Sequence, residues 1–405
     1  MKIVFANRFF HPDLAPTGRL AADVAFDLAA AGNEVHAVTS RLAYEGWREY
    51  AAGETVRGVR IHRVWTTRFG RGFLPGRALD YATFYFSATW ALWRLLRAGD
   101  VVVAMTDPPL LSVCGAIAAR IRGAQLVNWL QDVFPEAATR SGLRLFSGVL
   151  GGFVRTWRNW SLRRALVNVV LGERMASEAA QHALGSRMVV IPNWADGGAL
   201  RPMPPEASTL RREWGLSGKF VVGYSGNLGR VHDCETLLAA ARMLEVEPGI
   251  VFSFTGGGFH FARVRAAGLS NVVTHDYVPE AQLGDALAAC DVHLVTLLPA
   301  LEGLVVPSKF YGIAAAGRPV IFVGDPEGEI ARPVTGHDCG VVIPSGDGAA
   351  LAAVIRKLRD SPGEVRAMGA RARAAFEREW DKPVALARWR ALLAEAAAGP
   401  GRSLY

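Results

Sequence analysis

The sequence predicts a soluble α/β protein of two domains. At 405 residues the chain is too long for one ordinary hydrophobic core. Hydrophobic residues make up 51% of it, and strand patterns alternate with helix patterns along most of its length. A proline-rich stretch without periodicity, residues 201–207, separates the two halves. We therefore expect a first domain over residues 1–195, a linker over 196–208, a second domain over 209–382, and a C-terminal helix and tail over 383–405.

Charge and cysteine usage restrict the class of partner and the compartment. The net charge is +8, and residues 1–195 hold 23 Lys and Arg against 14 Asp and Glu. A basic first domain favours an anionic lipid surface or a phosphorylated acceptor, and no nucleic-acid recognition module accompanies the charge. Four single cysteines in apolar segments are typical of a reducing cytoplasm. The chain enters a strand directly after Met1 and has no apolar run of membrane-span length, so we expect neither a secretory leader nor a membrane helix.

The first half places two groups of candidate site residues after strands. The strand Lys2–Ala6 is followed by a loop that ends in Thr17-Gly18 and by a helix predicted from about Arg19 to Ala31. Ligands of parallel sheets bind beyond the carboxyl ends of the strands, so the amides of Thr17 and Gly18 are candidates for a phosphate or sugar. A helix N-cap is the alternative for Thr17. Gln131 and Asp132, which follow the strand Gln125–Leu130, are candidates for holding an acceptor hydroxyl, and a capped turn is the alternative.

Two segments of the first half combine aromatic and basic residues. Residues 71–97 include a predicted helix, Arg77–Arg97, with six aromatic side chains edged by arginines, and residues 140–164 combine six arginines with Phe146, Phe153, Trp157 and Trp160. Aromatic rings at headgroup depth and guanidinium groups on anionic lipid are features of a membrane-surface contact. Packing of the rings into the domain core, with solvated arginines, is the alternative.

The second half repeats the strand, loop and helix order. After the strand Phe220–Tyr224, the loop 225–233 contains Gly226, Asn227, Arg230 and His232. Its cations are candidates for a diphosphate, and solvated loop cations are the alternative. The pattern Gly-x-Gly-x-x-Gly is absent, which argues against a nicotinamide enzyme.

The stretch 299–321 carries the strongest anion signal. It follows an apolar strand, begins a helix at Pro307-Ser308, ends that helix at Gly317 and enters another strand. Amides at a helix start favour an anion such as a phosphate, so the Ser308 amide is a candidate ligand. Lys309, one of five lysines in a chain with 40 arginines, lies in the first turn and can meet the same anion.

Taken together, these motifs resemble glycosyltransferases of family 4, and most closely the branch of bacterial polysaccharide enzymes of the colanic-acid type. The resemblance spans nearly the whole chain. In chain order, its carriers are Pro16-Thr17-Gly18, Gly32-Asn33-Glu34-Val35, Ile191-Pro192-Asn193, 224–229, Gly256-Gly257-Gly258, 291–295, and 307–312 with 315–321.

The resemblance implies the GT-B fold, in which two Rossmann-like domains face each other across a cleft and C-terminal helices cross back to the first domain. It implies a retaining, metal-independent transfer from a nucleotide diphosphate sugar, held mainly by the second domain, to an acceptor held mainly by the first. The acceptor would be a lipid-linked or polysaccharide precursor at the inner face of the membrane. The implied roles are Lys309 and Arg230 on the diphosphate, Asn227 and Gly226 near the phosphates or sugar, and Glu302 on the donor sugar. The amides of Gly18 and Ser308 would assist, with Gln131 and Asp132 facing the acceptor.

The chain departs from the family pattern at several positions. The acid that usually holds the ribose is replaced by Gly312, and the usual earlier Glu falls on Leu304, two residues after Glu302. The usual Arg and Lys of the second-domain glycine loop correspond to Asn227 and His232, and the usual first-domain histidine to Gln131. Two alternatives therefore remain open: a non-catalytic partner that binds nucleotide sugar, and a soluble transferase of small natural products.

Overall fold

The computed structural model describes residues 1–13, 15–44, 48–70, 74–143, 146 and 148–398. The chain forms two compact units, Met1–Ile191 together with the chain from Leu386 onward, and Pro192–Ala385. The first predicted domain ended at residue 195, so the structure divides the chain four residues earlier. Arg71 and Arg144, which belong to the two predicted aromatic segments, lie outside the described residues.

The first unit is built on an eight-stranded sheet with the order β3-β4-β2-β1-β5-β6-β7-β8. All pairs are parallel except β3 with β4. The chain leaves β1 towards β2 and later resumes at β5 on the other side of β1, so the topology reverses between β1 and β5. The strands are β1 Lys2–Ala6, β2 Glu34–Ser40, β3 Gly53–Val56, β4 Val59–Val64, β5 Val101–Met105, β6 Gln125–Trp129, β7 Val167–Val170 and β8 Met188–Val190.

Helices cover this sheet because each presents one apolar face to it. Phe84, Leu92 and Leu111 pack with Val4 and Val102 of the strands in one fully buried cluster. The helices of the first unit are α1 Pro16–Ala30, α2 Leu74–Leu95, α3 Leu111–Arg122, α4 Glu136–Arg140, α5 Val149–Arg164 and α6 Glu173–His182.

The second unit contains a six-stranded, wholly parallel sheet with the order β11-β10-β9-β12-β13-β14. The chain leaves β9 towards β10 and β11 and resumes at β12 on the other side of β9, so the topology reverses between β9 and β12. In open α/β sheets this reversal is where ligands bind, beyond the carboxyl ends of the strands. The strands are β9 Phe220–Asn227, β10 Ile250–Gly257, β11 Val272–His275, β12 Val292–Thr296, β13 Val320–Gly324 and β14 Gly340–Pro344.

The helices of the second unit pack on this sheet around one large core that includes Val222, Phe252, Leu237, Ile321 and Leu351. They are α7 Thr209–Glu213, α8 Cys234–Met243, α9 Phe261–Ala266, α10 Leu283–Ala288, α11 Lys309–Ala315, α12 Ala331–Gly336, α13 Gly348–Arg359 and α14 Pro362–Glu379.

The predicted linker is ordered and belongs to the second unit. Arg373 donates to the carbonyl of Leu200 at 2.7 Å, and Arg318 donates to that of Met203. The Asp381 carboxylate accepts the amide of Gly197 at 3.0 Å. The prolines keep this segment out of helices and strands, and these hydrogen bonds satisfy its backbone groups instead. The segment is therefore packed as part of the second unit.

The last helix, α15 Lys382–Ala398, brings the C-terminal segment back to the first unit, as the predicted fold class implies. Trp389 is fully buried, with its ring centroid 4.3 Å from that of Trp129. Arg390 donates to Asp27 at 2.9 Å. Aromatic burial of this size gives the segment several kcal/mol of anchoring, by the rule of about 25 cal/mol per Å².

Candidate active site at the carboxyl edge of the second sheet

Lys309 and His232 meet at the topological reversal of the second sheet. His232 lies in the turn after β9, and Lys309 begins α11 after β12. The Lys309 Nζ is 3.2 Å from His232 Nε2. The two residues are 77 positions apart in sequence, and only the adjacency of β9 and β12 brings them together.

Hydrogen bonds define the protonation of His232. Its Nδ1 lies 2.7 Å from the carbonyl oxygen of Thr296, which can only accept. The single ring proton is therefore on Nδ1, and Nε2 presents a lone pair to the Lys309 ammonium. Burial first, and the positive Lys309 second, lower the pKa of His232 to about 3, so the ring is neutral at physiological pH. The alternative of a solvated loop cation is wrong for His232, because its side chain is buried. Its contact with a diphosphate stays a prediction.

The turn that carries His232 is fastened to the end of β12 by further bonds. Leu298 N donates to Val231 O at 2.9 Å, and Asp233 N donates to Thr296 Oγ1 at 3.1 Å. The Asp233 carboxylate then caps α8 by accepting the amide of Thr236 at 3.0 Å. The ring thus sits on a rigid frame.

Lys309 lies over two features of β9. Its Nζ is 5.3 Å from the centroid of the buried Tyr224 ring, within cation–π range. A Cβ on Gly226 would come within 3.1 Å of Lys309 Cε, and Gly226 has a φ of +109°. Only glycine combines that backbone conformation with the passage of the lysine stem. Burial lowers the pKa of Lys309 to about 8, which leaves it mostly protonated at pH 7.

A groove lies at the end of β10, the strand that neighbours β9. Gly226 pairs with Gly256 across β9 and β10, and the groove continues from Gly256 to Tyr277 after β11. Its cavity volume is about 870 Å³, the size range of small-molecule sites. Gly258 has a φ of +115°, and a side chain there would overlap Asn227 and Leu228. Gly256 and Gly258 are therefore required for close packing at this edge of the sheet, because a Cβ on Gly256 would likewise overlap the carbonyl oxygen of Gly226.

Asn227 and Arg230, both predicted on the donor side, are exposed near this groove. Asn227 ends β9, which extends three residues beyond the predicted strand because Ser225, Gly226 and Asn227 pair with β10. The guanidinium of Arg230 stacks on the Phe259 ring at 3.6 Å. Arg230 therefore lies on an aromatic ring that follows directly after Gly258, a residue of the groove.

Glu302 forms a structural contact within the second unit. Its Oε2 accepts the amide of Glu329 at 3.1 Å, and Gly328 packs so closely on Oε1 that no larger residue fits. The predicted contact with a donor sugar stays a prediction for this residue. Ser308 is exposed and has helical dihedral angles, and its side chain makes no cap bond to α11. Gly312 faces Leu200, with 3.8 Å available to a Cβ.

In the first unit, Gly18 lies at the reversal between β1 and β5. The helix α1 begins at Pro16, three residues earlier than predicted, because proline is well suited to the first helical turn. The first helical bond runs from Arg19 N to Ala15 O at 3.0 Å, so the amides of Thr17 and Gly18 precede it. The buried Asn7, which the sequence analysis did not single out, donates to Thr17 Oγ1 at 3.2 Å and holds this turn. The sequence feature that could have identified Asn7 is the position of a polar residue directly after a buried strand.

Gln131 and Asp132 follow β6 on the same edge of the first sheet. The amide of Gln131 donates to Thr106 Oγ1, after β5, at 3.1 Å. The side chain of Asp132 is exposed, yet surrounding protein reduces its hydration. That effect, with the negative charge of Asp107 second, raises the pKa of Asp132 to about 6. With a pKa of about 6, Asp132 is mostly ionised at pH 7, and its carboxylate can accept a hydrogen bond from a sugar hydroxyl.

No group of three His, Cys, Asp or Glu side chains is arranged to hold a metal ion in the part of the chain that the structure describes. All four cysteines are buried thiols. In the same described ranges, none of the helices combines the length and apolar character needed to cross a bilayer.

Comparisons with known proteins agree with this architecture. Residues 17–194 match the glycosyl transferase 4-like domain, and residues 219–361 match the glycosyl transferases group 1 family. The chain belongs to the glycosyltransferases of family 4. It is similar to the probable glycosyltransferase WbjE of Pseudomonas aeruginosa, with 29% identity over 78% of this chain and 79% of WbjE. It is 26% identical to the putative colanic acid biosynthesis glycosyl transferase WcaI of Escherichia coli K12, over 82% of this chain and 85% of WcaI.

Among solved structures, the transferase is similar in fold to Anabaena HepE in complex with UDP-glucose, with a TM-score of 0.70 and 18% identity. The match covers 98% of this chain and all of HepE. The two parallel-sheet units are thus those of the GT-B fold, as predicted.

The transferase exposes aromatic side chains along two helices of its first unit. On α2, the exposed fractions of Phe86, Trp90 and Trp93 are 78%, 54% and 37%, and on α5 those of Phe153 and Trp157 are 61% and 39%. The alternative of core packing holds for other aromatic members, which turn inward, and the membrane-surface contact stays a prediction. Phe84, Tyr85 and Trp160 pack with the core, and the buried Arg158 donates to Glu136 at 2.9 Å.

Proposed function

We propose that this glycosyltransferase moves a sugar from a nucleotide diphosphate sugar to a hydroxyl of a lipid-linked or polysaccharide precursor, with retention of anomeric configuration and without a metal ion. The observation that carries the proposal is the Lys309 ammonium at the reversal of the second sheet, packed on Gly226, whose partner on β10, Gly256, lines an open groove. A cation in a partly desolvated site interacts strongly with a diphosphate. UDP-glucose in the structurally similar HepE, and the colanic acid biosynthesis for which WcaI is named, are consistent with such a donor and acceptor.

The proposed donor pose follows from the edge of the second sheet. The diphosphate meets Lys309, with Asn227 and Arg230 at the rim. The nucleoside extends over Gly226 and Gly256 into the adjacent groove. Positioning and charge stabilisation then carry most of the catalysis, and an oxygen of the leaving phosphate takes the acceptor proton during front-face attack.

On the acceptor side, we assign Asp132 and Gln131 to sugar hydroxyls. At pH 7 the Asp132 side chain is mostly a carboxylate, which can accept a hydrogen bond from a sugar hydroxyl. At the reversal of the first sheet we assign the amide of the half-buried Thr17 to an anionic or hydroxyl group. Gly18 is buried against the backbone of Phe9 and Phe10, and its contact with a ligand stays a prediction.

Three measurements test this function together. A thermal-shift panel of UDP-, GDP- and dTDP-sugars identifies the donor, because a ligand that binds the folded state raises the melting temperature. Proton NMR of the first sugar released from that donor, by slow hydrolysis or by transfer, reports its anomeric configuration. An excess of EDTA should leave the rate unchanged. Inversion of configuration, loss of activity with EDTA, or no response to any nucleotide sugar would contradict the corresponding part of the proposal.

We further propose that the aromatic faces of α2 and α5 contact the anionic inner surface of the cell membrane, which would place the enzyme in the cytoplasm beside a lipid-linked acceptor. Residues 149–164 contain four arginines and no acid, and the only acid within α2, Asp80, is buried. Exposed aromatic rings beside such basic residues match the headgroup region of an anionic bilayer.

Vesicle flotation tests the membrane contact. The protein should float with vesicles that contain phosphatidylglycerol and less with pure phosphatidylcholine vesicles. The double variant Trp90→Gln/Phe153→Gln should reduce flotation several-fold. Met243→Gln, which changes an apolar residue exposed on the second unit, serves as the matched control. Equal flotation of all three proteins would refute this surface, as would a complete failure to float.

A further inference from the structure

We infer that His232 is a positioning residue for the transfer reaction: its neutral ring holds the Lys309 ammonium at the donor diphosphate without cancelling the ammonium's charge. The inference rests on the proposed function: it says how the Lys309 ammonium is held in place while it stays free to bind the diphosphate.

The geometry supports a holding role. Among the described residues, His232 is the one hydrogen-bonding partner of Lys309 Nζ, at 3.2 Å. The other side of the ring is fixed at 2.7 Å to Thr296 O, on the last residue of β12. Because the His232 ring is fixed to β12, its hydrogen bond restricts the position of the Lys309 ammonium. An ammonium has three N–H donors, and this arrangement uses one and leaves two for an anion.

The charge of the partner matters as much as its position. An aspartate or glutamate at this place would orient the lysine equally well but would neutralise it, as Asp291 does for Arg211 at 3.1 Å elsewhere in the same unit. A second cation would repel it. A neutral histidine in the Nδ1–H tautomer is one of few side chains that accept from an ammonium while keeping the net charge of the pair at +1.

Two substitutions separate the contact with Lys309 from the contact with Thr296. The side chain of His232→Gln reaches the Nε2 position and offers an amide oxygen to Lys309. That of His232→Asn reaches only the Nδ1 position, so it can donate to Thr296 O but cannot reach Lys309. Both variants are neutral, and their melting temperatures report any general damage to the fold.

The experiment measures dissociation constants of UDP, GDP and dTDP and transfer or hydrolysis rates of the matching nucleotide sugar. We expect His232→Gln to bind the preferred nucleotide within about threefold of the unaltered protein. His232→Asn should bind it roughly tenfold more weakly, as for loss of a hydrogen bond to a charged group. Equal affinities in both variants, with Lys309→Met impaired, would overturn the inference and leave the proposed function standing. Failure of every nucleotide to bind the unaltered protein would instead overturn the proposed function and the inference with it.

A spectroscopic readout tests the pair without any ligand. In protein labelled with ¹⁵N-histidine, the signals that disappear in both variants belong to His232. At about pH 6, where an ordinary histidine of pKa about 6.5 is more than half charged, they should show a protonated Nδ1 and an unprotonated Nε2. A charged imidazolium, or the opposite tautomer, would refute the arrangement irrespective of activity.

Discussion

Replacement of Lys309 by methionine tests the centre of the proposed mechanism. Methionine keeps most of the length and volume of the lysine stem, which passes 3.1 Å from the point where a Cβ on Gly226 would lie, so the neighbouring glycine and tyrosine keep their contact. The change removes one positive charge and one hydrogen bond to His232. We expect a folded protein with a melting temperature close to that of the unaltered enzyme.

The magnitude follows from the position of the ammonium. A unit charge about 4 Å from a phosphate oxygen interacts by roughly 4 kcal/mol at an effective dielectric constant of about 20. Part of this is offset because water and salt replace the lysine in the variant. Loss of one charge stabiliser in comparable sites costs about 10²-fold to 10³-fold in rate. We therefore expect kcat/KM to fall on the order of 10²-fold.

The assay is steady-state transfer, or donor hydrolysis, with the nucleotide sugar that the thermal-shift panel selects. Lys357→Met is the matched control, since Lys357 is an exposed lysine on α13 of the same unit. Lys309→Arg keeps the charge on a longer, planar group and should recover part of the rate. Unchanged kcat/KM in Lys309→Met, or an equal loss in Lys357→Met, would show that the diphosphate is neutralised elsewhere.

Three further predictions follow from the same structure. Donor affinity of the unaltered enzyme, measured by calorimetry from about pH 6.5 to 9.5, should weaken as the pH rises through about 8. Burial lowers the pKa of Lys309 to about 8, so the side chain loses its proton in this range. Lys309→Arg should remove the pH dependence. Gly226→Ala should weaken nucleotide binding about tenfold or more and lower the free energy of unfolding by roughly 1–3 kcal/mol. The reason is that the φ of +109° at Gly226 and the nearby Lys309 stem both exclude a Cβ. Gly249→Ala, where a Cβ would lie in open space, should change neither quantity much. Trp389→Ala should destabilise the first unit by about 3–5 kcal/mol in chemical denaturation, because it empties a fully buried site; a change below about 1 kcal/mol would contradict the anchoring role of α15.

The order of strands and helices was predictable from the sequence because buried parallel strands are apolar throughout and glycines end the helices. The ends of strands were less predictable. Ser225, Gly226 and Asn227 have the composition of a loop, yet they pair with β10 because Gly256 allows a close approach to Gly226. The helix α3 was missed because its sheet-facing side consists of small residues such as Gly115 and Ala116, which give a weak periodic signal.

Of the candidate site, the lysine could be identified from the sequence and its partner could not. Lys309 stands out because lysine is rare in this chain and follows a strand at a helix start. The pairing with His232 depends on strand order, and the neutral state of the ring depends on burial, neither of which local sequence reveals. Arg230 could be identified from the sequence as a loop cation of suitable type, but only the structure shows that it stacks on Phe259.

The need for a positive charge can be tested apart from the need for Lys309 itself by moving the ammonium group from residue 309 to residue 232. The family pattern usually carries a lysine where this chain has His232, and His232 Nε2 is 3.2 Å from Lys309 Nζ, so a lysine at 232 can bring an ammonium to nearly the same point. If the diphosphate requires a charge at that point and not a particular residue, the double variant His232→Lys/Lys309→Met should recover about tenfold or more of the rate lost in Lys309→Met. His232→Lys alone should gain little, because two ammonium groups at this distance repel each other and one loses its proton. A double variant no faster than Lys309→Met, with a native melting temperature, would mean that α11 itself orients the cation and that the charge cannot be supplied from the turn after β9.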